Sequence, residues 1–225
     1  MKLQPNRNYT SDDVVQTPPK LARQLVAHFR PSGRIFEPCA GAGNFLRALR
    51  AHARTQSISA SQKSAARQLS AFQHVSISAF RKAPPSVFWS EIQRGRDFFD
   101  WTDPVDWIVT NPPWSQVRRF LQHAMTLADH IVFLMTINHV WTKARLRDIR
   151  DAGFGLREIV LIDMPRTFPQ SGFQLGAIYI ARGWKGNVRL SDLSASRYAV
   201  RAGEPRAQSP EPGSGDRRRR VVAAR

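Results

Sequence analysis

The chain is 225 residues long, enough for one α/β domain with a full core, and its formal net charge of +17 points to a polyanionic partner, most often nucleic acid. A single cysteine, Cys39, excludes a disulfide framework or a cysteine-built zinc site within one chain and fits a reducing, cytoplasmic setting. No apolar run approaches the ~18 residues a bilayer span needs, and the histidines lack metal-binding spacing on a helix, so neither membrane nor metal is expected.

Residues Met1 to Val15 are polar and carry no apolar stretch of the kind a signal peptide requires. Then Thr17-Pro18-Pro19-Lys20 precedes Leu21, Leu25, Val26 and Phe29 at helical spacing. Thr17 is read as an N-cap and Pro18 as the first helical residue, with Pro31 and Gly33 as the stop. The start of this helix offers free N–H groups to an anionic group.

Ile35-Phe36 reads as a strand that runs into Glu37-Pro38-Cys39-Ala40-Gly41-Ala42-Gly43. Glycines in such a turn let the backbone approach a ligand closely. A dinucleotide site would want a third glycine where Leu46 stands, and Glu37 would repel a pyrophosphate. The acidic residue suits a cationic ligand, such as a sulfonium or an ammonium.

Residues 51–86, rich in Ser, Ala and Gln, read as an insertion, part helical and part mobile. Val87 to Ile92 is expected to be the second strand. The apolar run Trp107-Ile108-Val109-Thr110 is a buried strand, closed by Asn111-Pro112-Pro113-Trp114. Two prolines end a strand abruptly, because neither donates to a ladder and each fixes its own φ. A rigid corner at the carboxyl end of a strand is where open α/β sheets bind ligands. The Asn111 side-chain oxygen and the Pro112 carbonyl can accept the two hydrogens of a planar exocyclic amine and draw its nitrogen toward a nucleophilic geometry. Trp114 can stack on the ring that carries it. Taken alone, the tetrapeptide is also compatible with an ordinary Asn-Pro turn.

Val117 to Leu127 and Trp141 to Ala152 read as helices, and Ile131 to Met135 as a strand. Leu156 to Met164 and Phe173 to Ala181 read as two late strands with no helix between them, hence antiparallel. Their connector, residues 165–173, is a flexible basic loop with two aromatics. From Lys185 the pattern dissolves into a basic tail, 185–225, that includes Arg217 to Arg220.

The Glu37 to Gly43 motif followed downstream by Asn111 to Trp114 resembles S-adenosylmethionine-dependent amino-methyltransferases, and most of all the N6-adenine DNA methyltransferases. The Thr17-Pro18-Pro19 helix before the glycine motif gives the order of their gamma class. The resemblance implies a single three-layer Rossmann-like domain over 1–184, with a mainly parallel sheet and an antiparallel last strand. It implies S-adenosylmethionine as cofactor, with Thr17 at its methionine end and Glu37, Cys39, Ala40, Gly41 and Gly43 around it. Glu91 would accept from the ribose hydroxyls. Asp97, or else Asp100, would accept from the adenine amine, with Phe98 packed on the ring. Phe168, or else Phe173, would stack on a flipped base; taken alone, either ring is equally compatible with covering the edge of the core. The link from Glu91 to Asp97 is short for the family. The expected activity is N6-adenine methylation of DNA by a monomer. RNA methylation, methylation of a protein glutamine, and a catalytically silent nucleic-acid-binding module are the alternatives.

Overall fold

The computed structural model describes residues 15–70, 85–170 and 172–193. Its strands are β1 (Arg34–Glu37), β2 (Ser86–Trp89), β3 (Val105–Thr110), β4 (Ala128–Thr136), β5 (Phe154–Ile162), β6 (Leu175–Arg182) and β7 (Arg189–Asp192). Its helices are α1 (Pro19–Phe29), α2 (Asn44–Ser70), α3 (Val117–Leu127) and α4 (Lys143–Asp151). The strands form one seven-stranded sheet in the order β2-β1-β3-β4-β6-β5-β7. Strand β6 alone runs against the others: it pairs antiparallel with β4 and β5, while the remaining pairs are parallel.

The three layers follow from side-chain alternation. Successive residues of a strand point to opposite faces. Ile35, Val109 and Val132 join Leu21, Leu25, Phe45 and Leu49 of α1 and α2 on one face. Phe36, Ile108 and Ile131 join Val117, Phe120, Leu121 and Ile149 of α3 and α4 on the other. A strand covered on both faces is a continuous apolar run, which is why β3 and β4 stand out in the sequence.

Several expectations need correction. Pro18, not Thr17, occupies the N-cap position of α1, and no side chain caps that end. The segment expected as an insertion begins as the continuation of α2, which runs unbroken from Asn44 to Ser70; residues 71–84 lie outside the described residues. Strand β2 stops at Trp89, so Glu91 stands in the turn beyond it. The expected tail opens with β7, which pairs with β5; the rest, from residue 194, lies outside the described residues.

Between β2 and β3 there are only two short 3-10 turns, Ile92–Arg94 and Phe98–Asp100. Aromatic rings fill that side. Trp101 stacks on Phe36 at 4.5 Å, and Phe98 lies between Phe36 at 5.8 Å and Phe120 at 5.1 Å. Arg96 covers the Trp89 ring at 4.5 Å, a cation–π contact that shields a half-buried surface aromatic.

One strand in from the far edge, Glu158 of β5 is 1% exposed. Burial alone would raise its pKa, but hydrogen bonds from Arg189, Ser191 and His28 outweigh that and hold it below the usual value. The buried carboxylate thereby joins β5, β7 and α1.

Candidate active site

The carboxyl ends of β1 and β3 open onto a cavity of about 570 Å³. Its wall includes Thr17, Cys39, Ala40 and Gly41 from the first half of the chain. Glu91, Asp97 and Phe98 come from the link after β2, and Asn111 and Pro113 from the corner after β3. Residues as far apart in sequence as Thr17 and Asn111 therefore meet in one cleft of ordinary ligand-binding size.

The glycine turn is held by side chains around it. Gly41 (φ 48°) and Gly43 (φ 79°) adopt left-handed backbone that other residues rarely take. A Cβ on Gly41 would sit 2.9 Å from the Gln16 side-chain oxygen, which accepts the Ala42 N–H at 2.9 Å. The Gly41 N–H donates to Glu91 Oε2. A phosphate cradle needs such N–H groups unclaimed; here one is taken by a carboxylate, so the loop presents negative charge rather than donors. Glu91 also caps the following turn by accepting from Gln93 N, and Asp97 accepts from Phe99 N at 3.0 Å. Both carboxylates are thereby fixed at the cavity wall. Phe98 touches the cavity while only 2% exposed, because most of its ring is core.

Glu37 is not part of the wall. It is fully buried beneath it, where one oxygen accepts from Thr110 Oγ1 and from Cys39 N at 3.1 Å. The other oxygen has no hydrogen-bond partner among the described residues. Burial raises its pKa to about 8, against the lowering effect of the two hydrogen bonds, so the group is mostly neutral at pH 7. Glu37 links two strands: it ends β1, and Thr110 immediately precedes Asn111. Burial likewise pushes the Cys39 thiol well above its ordinary value, aided by Glu37, so Cys39 is not an activated nucleophile.

The corner has a defined internal geometry. Asn111 Nδ2 donates to the Val15 carbonyl at 2.9 Å. Asn111 Oδ1 accepts from the Trp114 indole N–H at 3.2 Å, and that N–H lies 3.3 Å from the Leu134 carbonyl as well. Pro112 is buried and Trp114 is half-buried. Trp114 packs edge-on to Phe168 at 6.0 Å. Phe168, expected in a flexible loop, is 3% exposed and belongs to the core; it has no surface to offer a base in this conformation. Phe173 is exposed.

Sequence reasoning missed four contributors. Val15 acts through a backbone carbonyl, which no side chain announces. Gln16 straps the glycine turn from a distant segment. Asn44 donates to the Thr17 carbonyl at 2.7 Å and so fixes Thr17 at the wall. Arg119, from the first turn of α3, lies over the Phe99 ring at 3.9 Å and brings a positive charge to the mouth.

No protein family matches the sequence, and no curated protein matches it significantly. Solved structures do resemble the fold. A protein assigned as the modification subunit of a type I restriction enzyme from Vibrio vulnificus aligns at 16% identity and TM-score 0.51, over 77% of this chain and 45% of its own. The type I restriction enzyme EcoKI M protein aligns at 12% identity and TM-score 0.50, over 79% and 46% respectively. A protein assigned as a class I S-adenosylmethionine-dependent methyltransferase from Listeria monocytogenes aligns at 14% identity and TM-score 0.49, over 86% and 71%. The chain spans less than half the length of the first two. At these identities the likeness to the first two shows the fold alone, a Rossmann-like α/β fold of the kind those modification proteins carry.

Proposed function

We propose that the chain is an S-adenosylmethionine-dependent methyltransferase that acts on the N6 amine of adenine in DNA. One observation carries the reading: Asn111 and Pro113 of the corner line the same cavity as Gly41 of the glycine turn, Glu91 and Asp97. The residue set fits the cofactor. Fixed carboxylates at Glu91 and Asp97 suit ribose hydroxyls, an adenine amine and a cationic sulfonium, and the loop is no phosphate cradle. When bound, the cofactor supplies an electrophilic methyl group.

The chain's own residues do the rest by placement. Asn111 Oδ1 and the Pro112 carbonyl accept from the target amine and aim its lone pair into the cavity. Positioning of this kind can supply several kcal/mol of a barrier, roughly 7–11 in well-oriented cases. No strong base is required, because the methylated ammonium is acidic enough to lose a proton to water. An adenine in duplex DNA must first be flipped out of its stack.

Half-exposed Trp141 supports a nucleic-acid acceptor. It lies two residues beyond His139, whose ring is 6.4 Å from Trp114. Its loop is tied to the loop bearing exposed Phe173 by the Ile137 N–H, which donates to Gln174 O at 2.9 Å. Exposed Lys143 follows at the start of α4. Replacing Trp141 by Ala is expected to weaken oligonucleotide binding roughly tenfold or more, the scale of one lost base–aromatic stack. Cofactor titration on the same variant should be unchanged; unaltered oligonucleotide affinity would remove Trp141 from the interface.

The deciding experiment is tritiated methyl transfer from S-adenosylmethionine to duplex DNA, total RNA and a protein lysate in parallel, with the product digested and identified. Label in N6-methyladenine from DNA is expected. Label in RNA alone, or in a protein glutamine, keeps the corner's chemistry and changes the acceptor. Failure to bind the cofactor overturns the enzyme reading.

A further inference from the structure

The Asn111 side chain can do its work only one way round. Its amide has an accepting end and a donating end, and a 180° flip would turn two N–H donors toward the target amine. The two contacts of Asn111 decide which end points where. The Val15 carbonyl can only accept, and it takes Nδ2–H at 2.9 Å. The Trp114 indole N–H can only donate, and it meets Oδ1 at 3.2 Å. A flipped amide would face donor to donor at Trp114 and acceptor to acceptor at Val15. Both bonds are lost together in the wrong orientation.

Trp114 is itself held in place. Its N–H is shared with the Leu134 carbonyl of β4 at 3.3 Å, and its ring meets Phe168 edge-on. Leu134 is fully buried, so this acceptor does not move with solvent. An indole anchored to the neighbouring strand thus fixes the amide of the corner. An sp² oxygen has two lone pairs, so accepting from Trp114 leaves Oδ1 one site for the substrate.

We propose that Trp114 is a positioning residue: its indole N–H locks Asn111 with Oδ1 toward the acceptor amine, a role distinct from stacking on the target base. The inference rests on the methyltransferase reading above. It separates two properties of an aromatic residue at this position. Any flat ring can stack, but only one with a correctly placed donor can hold the amide.

Trp114→Phe tests this, because phenylalanine keeps an aromatic face and removes the N–H. The expected result is a kcat lower by about tenfold, the scale of one neutral hydrogen bond, with KM for the nucleic acid and cofactor affinity unchanged. A stacking residue would behave oppositely, with kcat preserved in the variant; that result overturns the proposal.

A second measurement needs neither turnover nor a folded Trp114 variant. The indole N–H of Trp114 in the ¹⁵N-labelled protein should shift, and exchange faster with solvent, when Asn111 is replaced by Ala. An indole signal indifferent to Asn111→Ala overturns the proposal even if methyl transfer is robust. A shifted signal with no methyl transfer to any acceptor upholds the contact and rejects the enzyme reading instead.

Discussion

Asn111→Ala should lower the rate of methyl transfer by at least about 10²–10³-fold, the cost typical of removing one preorganised hydrogen-bonding group aimed at a transition state. Cofactor affinity should change far less. Asn111 lines the cavity, and its Nδ2 also steadies Val15, the neighbour of Gln16 and Thr17. Losing that single neutral hydrogen bond accounts for about a tenfold change at most. The two magnitudes differ enough to separate the roles. Asn111→Asp sharpens the test: an acceptor oxygen remains, while the donor to Val15 is gone. That variant should keep more turnover than Asn111→Ala. Calorimetric titration with S-adenosylmethionine beside single-turnover kinetics makes the comparison, and an equal fall in affinity and rate would mean that Asn111 shapes the cavity and nothing more.

Glu37→Gln should change the pH dependence of stability. In the folded protein burial holds the Glu37 pKa near 8, while in the unfolded chain it returns to about 4.5. Below pH 4.5 the carboxyl is protonated in both states and costs nothing electrostatically. Between 4.5 and 8 the unfolded state ionises and the folded state resists, so stability declines as pH rises through this window. The full shift corresponds to a few kcal/mol, on the order of 3–5. Glutamine cannot ionise and escapes the decline. At pH 5 it should match the parent or fall slightly below it, because an amide also leaves a buried polar atom where the second oxygen has no partner among the described residues. At pH 8.5 it should be clearly the more stable protein. Thermal melts across that range decide the matter, and a difference independent of pH would show that Glu37 is ionised in the fold.

How much of this was readable beforehand depended on how local each cause is. The β3 run and its two prolines are local, so the corner at Asn111 was legible from the sequence alone. So was the Glu37 to Gly43 turn, whose glycines do adopt the left-handed backbone at Gly41 and Gly43. The end of β2 was misplaced because Glu91 is half of a small turn: it caps Gln93 and bridges to Arg96, neither of which an apolar run reveals. Strand β7 was invisible because its residues are mostly exposed and, Leu190 apart, polar; it exists by pairing with β5 and by Arg189 reaching Glu158. Phe168 was expected to stack on a flipped base because related enzymes carry an aromatic in this connector. Its ring nonetheless turns into the core beneath Trp114. Phe173, ranked second from the sequence, is the exposed aromatic of that loop.

The strand order also bears on how the protein is made. Strands β2, β1, β3 and β4 are neighbours in space and come first in the chain, so a ribosome that has delivered Thr136 has delivered the glycine turn, Glu91 and the Asn111 corner. The partner of β4 is then still missing. Strand β6 pairs with it from His130 to Thr136, but is synthesised only after β5. During that interval the apolar edge of β4 is an open template, the kind of edge on which nascent chains associate wrongly or chaperones hold on. Slowing synthesis just after Arg182 has emerged, rather than before, is therefore the change in translation rate that favours yield.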